Sequence, residues 1–83
     1  MDREQIREAL EEILATVTEN PERAKEFTEK TSLREDAGLD SLQVVEMLFE
    51  IEEKFGAKIE DEEAQGLQTV ADVLDIVERK LKS

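Results

Sequence analysis

Apolar residues return at intervals of three and four through most of this chain, and that periodicity commits it to helices. Near the start, Ile6, Leu10, Ile13, Leu14 and Val17 share one side, with Ala9 beside them. Asp2 is placed to cap this helix, and Gln5 three residues on can bond back to it. Asn20-Pro21 stops it, and the pair can start a short turn with Asn20 as cap and Pro21 in first helical position. A second helix is expected from about Ser41 to Phe55. Its stripe reads as Leu42, Val45, Leu48, Phe49 and Phe55, widened by Val44, Met47 and Ile51, a breadth that suits more than one neighbour. Gly56 ends it. Ile59 is an apolar anchor, and Glu60-Asp61-Glu62-Glu63-Ala64 reads as a short helix closed by Gly66. Thr69-Val70-Ala71-Asp72 resembles a capping box that opens the last helix, whose stripe is Val70, Val73, Leu74, Val77 and Leu81 with Ile76 beside them. Arg79, Lys80 and Lys82 stand at its C-terminal end, where cations are favoured. Between 18 and 40 the chain reads as mostly irregular, and Phe27 and Leu33 imply that this loop is packed. The expected fold is all-α: one domain over residues 1–83, a small four-helix bundle of three main helices and one short helix with a long first loop.

The residue types that are missing narrow the chemistry. The chain has neither cysteine nor histidine, so disulfides, zinc–thiolate sites, a cysteine nucleophile and the commonest general base are excluded. No apolar run approaches the length needed to span a membrane, and the first residues lack the apolar stretch of a signal peptide. A cytoplasmic, monomeric protein is the resulting expectation.

Charge points toward protein partners. The 23 acidic and 11 basic residues leave a net charge of −12. Phosphates and anionic membrane surfaces repel such a chain, so neither nucleic acid nor membrane is an expected partner. Basic protein surfaces are attracted to it. The excess is uneven: residues 40–63 hold 9 acids and 2 bases, whereas residues 64–83 hold 3 of each. A solvated helix face and a docking surface both fit that concentration.

Gly38-Leu39-Asp40-Ser41-Leu42 joins the long loop to the second helix. Asp40 is a good N-cap, which puts the Ser41 hydroxyl in the first turn at the positive end of the helix dipole. A phosphate ester is favoured at such a place by free N–H groups and the dipole together. Taken alone, the tripeptide Asp40-Ser41-Leu42 is also an ordinary helix cap.

The surrounding stretches carry more. Glu35-Asp36-Ala37-Gly38-Leu39-Asp40-Ser41-Leu42 is followed by Val45-Glu46, Ile51-Glu52-Glu53-Lys54-Phe55-Gly56, Ile59-Glu60-Asp61-Glu62-Glu63-Ala64 and Thr69-Val70-Ala71-Asp72-Val73. In this order they resemble the acyl carrier protein family over residues 31–81, with residues 3–17 matching as an amphipathic first helix. The resemblance implies a four-helix carrier domain that is not itself an enzyme. It implies 4′-phosphopantetheine attached to Ser41 by a phosphopantetheinyl transferase from coenzyme A, with Asp40 helping to present the serine. It implies acyl thioesters of fatty-acid or polyketide-type biosynthesis as cargo. Acyltransferase, ketosynthase and other basic-faced enzymes would dock on Asp40, Glu46, Met47, Glu52 and Glu53. An acyl pocket would be lined by Leu48, Phe49, Ile51, Ile59, Leu67 and Val73. No catalytic residue and no metal site are expected.

Three positions depart from the family pattern. Ala37 replaces a usual leucine, and Leu39 is expected to take over part of its packing. Gln43 replaces a frequent acid on the docking face, and Glu60 replaces a frequent proline. Two other readings stand beside the acyl carrier. One is a D-alanyl or other aminoacyl or peptidyl carrier, which shares the serine and the helix order. The other is an acidic interaction module without a prosthetic group. A calcium loop lacks the alternating acids it needs, and an enzyme lacks a segment that suggests a deep pocket.

Overall fold

A computed structural model describes residues 2–82 as five helices: α1 (Arg3–Thr18), α2 (Pro21–Ala24), α3 (Ser41–Phe55), α4 (Asp61–Gln65) and α5 (Val70–Lys82). The three long helices fall where the periodicity places them. The turn at Asn20-Pro21 closes into a helix of four residues, so the bundle has two short helices rather than one.

Local chemistry sets the ends. Asp2 Oδ1 accepts from Gln5 N–H at 2.9 Å, and Gln5 Oε1 accepts from Asp2 N–H at 3.0 Å, which closes the capping box of α1. α1 ends at Glu19 in the left-handed region, φ 57°. Asn20 then accepts from Arg23 N–H and starts α2. At the head of α5, Asp72 Oδ2 accepts from the N–H groups of Gln68 and Thr69, and these bonds hold its carboxyl below the usual aspartate range.

The apolar stripe of α1 packs on α2, α3 and α5. Ile6, Leu10, Ile13 and Leu14 meet Met47 and Ile51 of α3 and Val73, Leu74 and Val77 of α5 in one core. The stripe of α3 differs from expectation. Its inward face is Val44, Met47, Leu48, Ile51 and Phe55, at intervals of three, one, three and four, while Leu42, Val45 and Phe49 point to solvent. Both sets have helical spacing, and the neighbours decide which one is buried. In α5, Ile76 is buried and Leu81 is exposed, which reverses their expected weights.

The connection from α2 to α3 is packed. Leu33, Ala37 and Leu39 are buried, and Phe27 is half-buried against the core. Its backbone is tied to the start of α5 by an isolated antiparallel bridge between Ser32 and Thr69. Leu33 N–H donates to Gln68 O at 2.9 Å, Val70 N–H to Thr31 O at 3.0 Å, and Ala71 N–H to Glu29 O at 2.9 Å. Arg23 also donates to the Asp36 carbonyl. Thr31 is the buried polar residue of this segment, and its hydroxyl accepts from Thr28 N–H at 2.8 Å.

Arg3 gathers three elements. It lies 2.6 Å from Glu29 of the loop, and 2.9 Å and 2.6 Å from Asp75 and Glu78 of α5. Hydrogen bonds to these carboxylates raise the guanidinium's pKa further, and in return Arg3 holds the Glu29 carboxyl below the usual glutamate range. A depressed folded-state value means that this contribution to stability is complete above about pH 4.5 and is lost as pH falls below it. Glu29→Gln should therefore lower the urea midpoint near neutral pH. Its deficit against wild type should shrink as the pH is taken below the ordinary glutamate range. A deficit that stays constant through that range would show that the Arg3 pair is not its source.

Candidate functional site

The loop delivers Ser41 by a short chain of fixed points. Leu39 is buried, and its N–H donates to Leu33 O at 2.9 Å. Gly38 before it takes φ 73°, a turn that a side chain would strain. Asp40 is extended and closes a capping box: its Oδ1 accepts from Gln43 N–H at 2.8 Å, and Gln43 Oε1 accepts from Asp40 N–H at 3.1 Å. Ser41 is then the first residue of α3 and is exposed. Gln43 N–H is taken by the cap and Val44 N–H donates to Asp40 O at 3.0 Å, which leaves the N–H groups of Ser41 and Leu42 beside the hydroxyl at the positive helix end.

Gln43 does more than the sequence reveals. Its amide Nε2 donates to Val17 O at 3.3 Å, at the C-terminal end of α1. A carboxylate here could complete the capping box but has no proton to donate to that carbonyl. The amide therefore fixes the start of α3 to the end of α1.

The acids expected on the docking face are distributed unequally. Asp40, Glu46 and Glu53 are exposed, and Glu52 is half-buried. Leu42, Glu46, Phe49 and Glu53 succeed one another by four, three and four residues along one face, with Val45 beside them and Glu50 also exposed. Met47 is a correction: at 0% exposure it belongs to the core and offers a partner nothing. The exposed apolar positions of this face are Leu42 at 67% and Phe49 at 64%, with Val45 between them. Sequence reasoning put these three in the core because their spacing is as helical as that of the true inward face.

The expected pocket is also revised. Phe49 points outward and lines no interior space. Ile51 and Val73 are fully buried, Ile59 nearly so, and Leu48 packs half-buried against the same core. Leu67 borders an open cleft of about 530 Å³. That cleft lies between the loop, α3 and α4, with Leu33, Val44, Ala64 and Leu67 as its apolar walls and Arg34 and Glu35 at its side. Val44 stands three residues after Ser41, so one helical turn separates the exposed hydroxyl from the cleft.

Among the described residues, no group of three or more carboxylates is arranged to hold a metal ion. No helix of the described residues is long and apolar enough to cross a membrane.

Comparison with known proteins bears on this serine and its helix. A family model described as a phosphopantetheine attachment site matches residues 4–77. An acyl carrier protein of Rubrobacter xylanophilus is 44% identical over 77 residues, covering 93% of each chain. One of Coprothermobacter proteolyticus is 42% identical over 82 residues, 98% of this chain and 96% of its own. One of Saccharopolyspora erythraea is 38% identical over 76 residues, 92% of this chain and 78% of its own.

The geometry at Ser41 separates the cap from the hydroxyl. Asp40→Ala should cost about 1 kcal/mol through loss of the N-cap. Ser41→Ala, an exposed change with no cap to lose, should stay within about 0.5 kcal/mol. Urea denaturation of the two variants reads both. A Ser41→Ala loss as large as that of Asp40→Ala would mean that the hydroxyl is structural.

Proposed function

The chain belongs to the acyl carrier proteins, the family built around a phosphopantetheine attachment site, and from that premise we propose that Ser41 is the attachment residue. The cofactor of the family is covalently bound 4′-phosphopantetheine. When bound, it supplies a flexible arm ending in a thiol on which acyl groups ride as thioesters. The residues present fit its phosphodiester. The Ser41 hydroxyl is exposed, it heads a helix of 15 residues, and the dipole of that helix favours an anion there.

The observation that carries this reading is the pairing of a rigid backbone with a free side chain. Asp40, Gln43 and buried Leu39 fix where Ser41 stands, and nothing covers its hydroxyl. A transferase is thus offered the same target in every molecule. The chain's own part is presentation: it holds the attachment point still while the cargo is handled by other proteins. Family members meet phosphopantetheinyl transferases and biosynthetic enzymes in this way. For this chain, α3 is the surface they would grip. Glu46 and Glu53 flank exposed Phe49, so a partner with a basic rim around an apolar recess is complementary to it. The acyl chain would lie in the cleft walled by Val44, Ala64 and Leu67.

Intact mass tests the attachment. Incubation with coenzyme A, magnesium and a promiscuous transferase should add one phosphopantetheinyl unit to wild type and nothing to Ser41→Ala. A folded wild type left unmodified by a transferase active on a control carrier would sink the assignment. In the same assay, Glu46→Lys with Glu53→Lys should slow modification at least severalfold with unchanged helicity, and added salt should slow wild type by screening exposed charge. Unchanged kinetics would remove these acids from the docking surface.

A further inference from the structure

Two helices of this chain start with the same device. Asp2 and Gln5 open α1, and Asp40 and Gln43 open α3. In each, the aspartate carboxylate accepts from the glutamine N–H, and the glutamine Oε1 accepts from the aspartate N–H. Both glutamines have an amide Nε2 to spare. That of Gln5 bonds to nothing among the described residues. That of Gln43 crosses to another element and donates to Val17 O at 3.3 Å.

The Val17 carbonyl needs a donor. In an α-helix it would accept from the N–H four residues on, but residue 21 is proline, which has none. Val17 is buried one residue before the end of α1, and no backbone N–H takes the empty place. Half-buried Gln43 supplies the missing proton. A carboxylate at 43 would close the same box but set its charge against the carbonyl oxygen.

The bond joins the two ends of the connection from α1 to α3, 26 residues apart. The first fully buried residue of α3 is Met47, six residues after Ser41, so packing alone leaves the first turn free to fray. The capping box sets the shape of that turn. Buried Leu39 on one side and Gln43 on the other tie it to the body of the protein.

We propose that Gln43 is a positioning residue for the attachment reaction: through Val17 it holds the Ser41 turn in the pose that a transferase meets. This rests on Ser41 being the attachment residue, whereas the bond to Val17 does not. In that reaction the Ser41 oxygen bonds to the phosphorus that carries the pantetheine arm in coenzyme A. The phosphoanhydride bond breaks, adenosine 3′,5′-bisphosphate leaves with the electron pair, and the hydroxyl proton passes to a base on the transferase. Such a displacement is in line, so its rate depends on where the attacking oxygen stands. Gln43 acts through that position alone.

The full, unmodified chain tests this with two readouts. Gln43→Glu keeps the box and loses the donor. Gln43→Met has the same length, no charge and no donor. In both, backbone order parameters at Ser41 and Leu42 should fall below wild type. In both, the single-turnover rate of phosphopantetheinyl transfer at saturating transferase should fall about threefold or more, the scale of one net hydrogen bond. The half-saturating transferase concentration should not rise in Gln43→Glu, because an added acid suits a basic partner. Gln5→Glu, the same change in a box with no second bond, should leave rate and order parameters as in wild type. Slowing in Gln43→Glu but not in Gln43→Met would make charge the cause and overturn the proposal. So would slowing with unchanged order parameters, or lowered order parameters with an unchanged rate. A rise in half-saturation with an unchanged rate also overturns it, since Gln43 would then touch the partner directly. If wild type is left unmodified by a transferase active on a control carrier, the attachment reading falls and the proposal with it; the order parameters then still decide whether the bond to Val17 holds the turn.

Discussion

The apolar face of α1 is the surface on which the other long elements are assembled. α2, α3 and α5 all pack on it, and its Ile6, Leu10 and Leu14 are buried almost completely. A chain of 83 residues has little interior, so most of its apolar volume must be placed on one shared seam. Elements on that seam are held by burial, which salt does not screen as it screens charge pairs. α4 lies off it and is held by half-buried Ala64 and by charge. That α4 lies off the seam follows from how little core there is to share.

The few cations are used where elements must be joined. Arg3 links the loop to α5, Lys54 reaches Glu12 of α1 at 2.8 Å, and Arg79 and Lys80 hold Glu63. Each depresses the pKa of a carboxylate it meets, as at Glu12, Glu29 and Glu63. Among the described residues no ion pair involves Glu46, Glu50 or Glu53. The exposed carboxylates on the outer face of α3, beside Phe49, are thus not tied up in internal pairs, and a basic partner would meet them without first breaking one.

Sequence and structure agree where a local rule suffices. The capping box at Asp2, the N-cap at Asp40, the Pro21 start and the bounds of α3 depend on neighbours within one turn, and all are legible. The position of Ser41 follows from them. What was not legible depends on distant neighbours. Leu42, Val45 and Phe49 have helical spacing, and so do Val44, Met47 and Ile51; only the placement of α1 and α5 decides which set is buried. Met47 and Phe49 exchange roles for this reason. The cleft eluded the sequence similarly, because its walls come from the loop, α3 and the region of α4, and proximity along the chain does not bring these together. Gln43 reads as a lost charge until its bond to Val17 O, 26 residues away, gives the amide a purpose.

The two faces of α3 meet different surroundings. Val44 walls the cleft, and Val45, the next residue, is exposed beside Leu42 and Phe49. Successive residues of a helix are about 100° apart, so a helix one core layer deep shows one side to the cleft and another to solvent. A partner seated on Leu42, Glu46 and Phe49 therefore lies around the helix from the cleft, and both sites begin within one turn of Ser41. If Ser41 is the attachment residue, a partner that gripped α3 would also have located it, because Asp40 and Gln43 fix that turn.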